Sequence, residues 1–280
     1  MTAAGSASRH PAYVRLIILV LLGGVVLKAL VAALEPRLAF FPNRGEDVTP
    51  ASLGLRYERV LLTTSDGEQL VAWQLEPERP LADIVYFHGN GGNLSLWLPS
   101  LAALHRLQYR VLALDYRGYG LSTGSPTEEG VYLDAEATVR HAARGRRPDR
   151  PLVFWGRSLG AAIAASATRH VVPDGLVLEA GFPDKAAVIR GQPLLRVLNV
   201  FGSYRFATSE LLRDFRRPAL VMHGDRDTIV PFALGRELFE GLSGPKQFVA
   251  IRDADHNDFF DRSRLDYWDP VVRFIEGLGQ

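Results

Sequence analysis

The chain has 280 residues, 47% of them hydrophobic, with a formal net charge of +1 and no cysteine. That length suits one large α/β domain with a well-buried core and is short for two. The charge gives no bulk case for a nucleic-acid partner, and the missing cysteine excludes disulfides, a thiol nucleophile and thiolate metal ligands.

Residues 1–12 are small, polar and proline-containing, and read as a disordered leader. Residues 13–34, YVRLIILVLLGGVVLKALVAAL, are almost wholly apolar. They match the length needed to cross ~30 Å of hydrocarbon as a helix. Lys28 lies near one end of the run, where its side chain can snorkel to the interface. A cleaved signal peptide and a buried core helix are the competing readings. The Ala-Leu-Val-Ala-Ala-Leu-Glu-Pro stretch is a poor cleavage site, so an uncleaved single-pass anchor is the expectation. Arg9 and Arg15 precede the run, and Arg37 and Arg44 follow it, a weak positive-inside signal. With its N-terminus inside, such an anchor puts the main domain on the non-cytoplasmic side, periplasmic or extracellular.

Residues 35–56 are rich in turn formers and read as a juxtamembrane linker, leaving residues 57–280 for a catalytic domain. Residues 59–64 and 69–75 read as strands around Asp66-Gly67, a hairpin signal. Residues 82–87 form a continuous apolar run, as in a strand buried on both faces. A helical pattern over 93–107 and a strand over 110–114 follow. Ser125-Pro126-Thr127-Glu128 reads as a capping box opening a helix that runs to about Arg144. Strands over 152–155, 175–178, 219–223 and 246–251 alternate with helices over 159–169, 233–242 and 267–278. The stretch from Phe182 to Phe215 is irregular, with short helical patches. This succession predicts a mostly parallel central sheet flanked by helices.

Two segments match Gly-x-Ser-x-Gly: 156–160 around Ser158 and 120–124 around Ser122. The chemistry needs a sharp strand-to-helix turn that exposes the serine oxygen, with glycines where backbones crowd. Ser158 meets this, since the apolar PLVFW leads in and the Ala-rich LGAAIAASA leads out. That helix start also places N–H groups beside a developing oxyanion. Ser122 is followed by Ser-Pro and a helix cap, so it lies in a loop. Ser158 is therefore the candidate nucleophile, against the alternative of a small residue that merely allows close strand–helix packing.

A serine hydroxyl needs a base, and the base needs an orienting acid. Of seven histidines, His256 follows the last strand on a polar loop, where a base enters over the carboxyl edge of the sheet. His223 comes too early to follow the acid, and His88 more naturally shapes the loop after its strand. His223-Gly224-Asp225-Arg226-Asp227 offers two carboxylates; Asp227 is preferred, with Asp225 bracing the turn. Asp253 and Asp255 flank His256 too closely in sequence to orient its ring. The loop His88-Gly89-Asn90-Gly91-Gly92-Asn93 can supply one oxyanion N–H, with Leu159 N–H as the other. It is neither a dinucleotide fingerprint nor a Walker loop. No cofactor is implied, and no His/Asp/Glu cluster has convincing metal spacing.

These motifs together resemble the Bem46 type of the α/β-hydrolase superfamily, related to the ABHD12, ABHD13 and ABHD17 group. The marks are LAFFP at 38–42, HGNGGN at 88–93, DYRGYGLSTGSPTEEG at 115–130, GRSLGAA at 156–162, HGDRDTIVP at 223–231 and DADHNDF at 253–259. The resemblance implies an α/β-hydrolase fold behind an N-terminal transmembrane helix, with Asp227 as triad acid. It also implies Asn90 as an oxyanion donor, with Gly91 as a possible substitute. Its members act on acyl esters or thioesters, so the expected partners are a small-molecule or lipid acyl ester and a membrane. A peptidase or amidase using the same triad, and a non-catalytic scaffold that kept the fold, are the competing functions.

Overall fold

The computed structural model describes residues 10–258 and 264–279. Of the expected leader, residues 1–9 lie outside the described residues. The first element is a 30-residue helix, α1 (His10–Ala39). Its stretch from Tyr13 is long and apolar enough to cross a membrane, and almost none of it is covered by protein.

Residues 35–56, expected as a linker, carry structure of their own. A two-residue strand, β1 (Phe41–Pro42), pairs in parallel with β5 (Gly91–Gly92), and a short 3-10 turn follows at Pro50–Leu53. Arg44 reaches across to the carbonyls of Ser122 and Gly124 at 2.8 and 2.7 Å.

Among the described residues the main sheet has eight strands: β2 (Tyr57–Thr63), β3 (Gln69–Leu75), β4 (Ala82–Phe87), β6 (Tyr109–Asp115), β7 (Leu152–Arg157), β8 (Gly175–Glu179), β9 (Ala219–Gly224) and β10 (Lys246–Ile251). Their spatial order is β10-β9-β8-β7-β4-β6-β3-β2. Strand β3 is antiparallel to both β2 and β6, while β4, β6, β7, β8, β9 and β10 are parallel to one another. The β2–β3 hairpin turns at Gly67, whose φ of +93° suits glycine. Strands β4, β7, β8 and β9 are buried along their whole length, which is why their middles read as apolar runs, with polar residues kept near their ends.

The two faces of the sheet carry separate cores. On one face Phe87, Phe154, Leu178 and Val221 pack under α3 (Glu128–Arg144), α4 (Leu159–Ala167) and α8 (Phe232–Gly241). On the other, Tyr86, Trp155, Val177 and Met222 pack under α2 (Leu94–Arg106) and the terminal helix α9 (Arg264–Gly277). Helix α4 is buried all round, and its small residues let it lie close to the sheet. Helix α3 begins later than the sequence suggests. Its cap is Thr127, whose hydroxyl accepts the Gly130 N–H at 3.0 Å, rather than Ser125. Between β8 and β9 stand three short helices, α5 (Lys185–Val188), α6 (Pro193–Asn199) and α7 (Thr208–Leu211).

Candidate active site

Strand β7 ends at Arg157 and α4 starts at Leu159, leaving Ser158 alone on the turn between them. Its φ of 53° and ψ of −119° lie where a side chain is strained, and its N–H donates to Glu179 O at 2.8 Å. The flanking glycines make this turn possible. A Cβ on Gly156 would stand 2.2 Å from Gly160 O, and one on Gly160 would stand 2.1 Å from Phe87 O. The elbow is therefore held by backbone packed directly on backbone.

Asp227 follows β9 and His256 follows β10, so both reach the carboxyl edge of the sheet where Ser158 sits. His256 Nδ1 is 2.7 Å from Asp227 Oδ2, and His256 Nε2 is 3.1 Å from Ser158 Oγ. All three side chains are buried. The other Asp227 oxygen accepts the N–H groups of Ile229 and Val230 at 3.0 and 2.7 Å, which fixes the carboxylate. Burial alone would raise its pKa, but hydrogen bonds from His223 and His256 outweigh this and hold it well below the usual carboxylate range. An ionised Asp227 requires the proton of His256 to sit on Nδ1. That leaves the Nε2 lone pair facing the Ser158 hydroxyl.

Asp225 accepts the Asp253 N–H at 2.8 Å, which ties the loop after β9 to the loop after β10. Asp255 ties the two loops together by accepting Thr228 N–H at 2.8 Å and the Thr228 hydroxyl. Ser122 is buried and engaged: it donates to Asp115 O at 2.6 Å and accepts Val71 N–H at 2.9 Å. Gly120 beside it has φ +51°, and a Cβ there would collide with the Asp115 carboxylate. The second Gly-x-Ser-x-Gly segment is thus a packed turn.

Asn90 sits in the loop after β4, opposite the start of α4. Among the described residues, neither its N–H nor that of Leu159 is taken by another hydrogen bond. At Leu159 this follows from helix geometry, since the first turn has no intrahelical acceptors. The loop is held from several sides. Phe41 N–H and the Tyr119 hydroxyl donate to Asn90 O at 2.9 and 2.8 Å, and Trp97 Nε1 donates to Gly91 O at 3.1 Å. His88 is fully buried beneath it, with Nδ1 2.6 Å from Gly89 O, and burial pushes its pKa down to about 4.

Two neighbours escaped the sequence reading. His223, set aside there, donates from Nε2 to Val230 O at 2.8 Å and stands 3.3 Å from Asp227 Oδ2. Arg157 is buried, pairs with Glu179 at 2.7 Å and donates to His256 O at 2.8 Å. The available signal was two opposite charges ending two adjacent apolar strands, for Arg157 and Glu179 are register partners.

The α/β-hydrolase fold family matches residues 84–207. An α/β-hydrolase domain-containing protein of Arabidopsis thaliana, WAV2, is 30% identical across 91% of this chain and 92% of its own. The lysophosphatidylserine lipase ABHD12 of Xenopus tropicalis is 29% identical across 84% of this chain and 67% of its own. Among solved structures, an esterase of Pyrococcus furiosus superposes with a TM-score of 0.71 at 20% identity, covering 86% of this chain and 98% of that one, a likeness of fold. With this sheet order, this strand-to-helix elbow and these relatives, the chain belongs to the α/β-hydrolase superfamily and is ABHD12-like.

Proposed function

We propose that this hydrolase is a membrane-anchored serine hydrolase that cleaves carboxylic esters or thioesters through an acyl-enzyme, with Ser158 as nucleophile, His256 as base and Asp227 as orienting acid. The observation that carries the reading is the unbroken chain from Ser158 Oγ through His256 to the Asp227 carboxylate, at 3.1 and 2.7 Å, centred on a strained elbow.

Ser158 Oγ bonds to the acyl carbon as its proton passes to His256 Nε2. The resulting imidazolium is stabilised by Asp227, which stays ionised. The N–H groups of Asn90 and Leu159 receive the negative charge on the former carbonyl oxygen. The tetrahedral intermediate collapses, and the leaving alkoxide or thiolate takes the proton from His256. Water then loses a proton to His256 and attacks the acyl carbon, and the return of that proton to Ser158 Oγ frees the carboxylic acid. A second oxyanion donor on the Asn90 loop is consistent with the hydrogen bonds that pin it from β1, Tyr119 and Trp97.

A lipid acyl ester is the favoured substrate class. It is supported by the lipase among the relatives and by an apolar N-terminal helix long enough to span a bilayer. In this reading α1 anchors the enzyme, with the catalytic domain on the non-cytoplasmic face. Replacing Ser158 by Ala is expected to abolish turnover of nitrophenyl butyrate by the purified full-length protein. A variant that kept near wild-type turnover would overturn the assignment. Protease digestion of sealed membrane preparations tests the orientation: the domain is expected to be cut from the non-cytoplasmic face.

A further inference from the structure

Helix α6 buries none of its residues. Leu194 and Val197, with Val200 that caps the helix, are 71%, 61% and 79% exposed, an apolar row at a spacing of three. Single exposed apolar residues are ordinary on a protein surface, but a grouped row calls for a covering partner.

The position of α6 says what that partner is. Glu35, near the end of α1, is buried among residues from both flanks of α6. It accepts Lys185 Nζ at 2.6 Å on one side, and the Ser203 N–H and hydroxyl at 2.7 Å on the other. The contact is close, for a Cβ on Gly202 would stand 2.4 Å from the Glu35 carboxylate. Phe40 then packs edge-on against Tyr204 and Phe206, at 6.0 Å from each.

The same face of α1 is less exposed than its surroundings further up the helix. Leu27 and Val31 are half-buried at positions i, i+4 and i+8 with Glu35, while Val26, Leu30 and Leu34 around them are exposed. At 1.5 Å per residue that stripe extends about 12 Å along the helix from Glu35. Glu35 directly follows the apolar run 13–34, so the segment holding it stands beside the end of α1 that meets hydrocarbon. Exposed Arg37 and Arg196 lie on these same two segments and suit anionic head groups.

We propose that α6 is an interfacial helix, lying with Leu194, Val197 and Val200 in the membrane leaflet that α1 enters, so that the enzyme meets its substrate at the lipid surface. The inference rests on α1 being a membrane anchor. It reaches the site because α1 also ends on the oxyanion loop: Phe41 N–H donates to Asn90 O at 2.9 Å, and Asn90 Nδ2 donates to Ala39 O at 3.3 Å. A lipid entering between α6 and the end of α1 would arrive beside that loop.

The cysteine-free chain allows a direct test, since any introduced cysteine is the sole labelling site. Val197→Cys, Leu22→Cys and Leu61→Cys are each labelled with an environment-sensitive fluorophore. The full-length proteins are then placed in phosphatidylcholine/phosphatidylglycerol vesicles carrying shallow or deep spin-labelled lipids. Leu61 is the water reference, 73% exposed on β2. The label at 197 is expected to be quenched by shallow spin labels, that at 22 by deep ones, and that at 61 by neither. Quenching at 22 but not at 197 would overturn the proposal while leaving the anchor intact. A label at 197 that is blue-shifted yet unquenched would mean a protein covers α6, and would also overturn it. No quenching at 22 would overturn the anchor reading, and the proposal with it. A second variant, with Leu194, Val197 and Val200 all changed to Ser, should lose turnover of a vesicle-borne lysophospholipid severalfold. Its turnover of nitrophenyl butyrate should be unchanged.

Discussion

Arg157 Nη2 donates to the backbone carbonyl of His256 at 2.8 Å, so the residue just before Ser158 holds the loop that carries the proposed base. The guanidinium is itself fixed by Glu179 at 2.7 Å, whose second oxygen accepts Trp155 Nε1 at 3.1 Å. Arg157→Lys keeps the charge but loses the fork that reaches both partners. The expected result is a fall in kcat of up to about 100-fold, the cost of a misplacement near 1 Å, with KM little changed. Arg157→Met should instead destabilise the fold by about 3–5 kcal/mol, because it strands the buried Glu179 carboxylate. Steady-state kinetics and denaturant unfolding on the two variants separate these effects.

Asp227→Asn and Asp225→Asn test the choice between two carboxylates two residues apart. The first removes the charge that sets the His256 tautomer, and kcat should fall on the order of 10⁴-fold. The second touches an exposed side chain bonded to Asp253 N–H, and kcat should change little. A larger loss from Asp225→Asn than from Asp227→Asn would reverse the roles.

Ser122→Ala addresses the second Gly-x-Ser-x-Gly segment. Its hydroxyl supplies the acceptor for the buried Val71 N–H at 2.9 Å, and removing it should cost about 1–3 kcal/mol of stability. Turnover per folded molecule should stay near wild type, as measured by titrating active sites before the assay.

His88 makes an acid-labile spot. Its pKa is pushed down to about 4 by burial, so between that value and its unfolded 6.5 the unfolded chain binds a proton that the native protein refuses. Stability from this group is lost as pH falls through that window, by at most about 3 kcal/mol. Asp115, whose Oδ1 is 3.7 Å from His88 Nε2, works in the opposite direction. Burial raises it to about 7, so its stabilisation is present at low pH and lost as pH rises above the unfolded value toward 7. The two partly cancel in the native protein. Stability measured at pH 7 and pH 5 should show His88→Gln losing less on acidification than wild type does.

Much of this was legible in the chain. Strands such as β7 and β9 read clearly because burial on both faces leaves polar residues only near their carboxyl ends, at Arg157 and His223. The difference in setting between Ser158 and Ser122 was legible, because the strand before Ser158 and the helix after it leave their patterns in the chain. What stayed hidden depends on contacts distant in sequence. Nothing local in RLAFFP shows that Phe41 will pair with the Asn90 loop, or that Glu35 will be buried against Ser203. The cap of α3 is Thr127 rather than Ser125, and Pro126 before it packs over Gly118, where a Cβ would stand 2.6 Å from its ring. His223 was set aside on chain order, which ranks candidates for the base but does not register a histidine that stands beside Asp227.

The most direct test of the central claim is fluorophosphonate labelling of the full-length protein in separated membrane and soluble fractions, wild type beside Ser158→Ala. Labelling is expected in the membrane fraction of the wild type and absent from the variant, with Ser122→Ala labelled normally. Labelling that survives in Ser158→Ala, or disappears in Ser122→Ala at equal folded protein, would contradict the account.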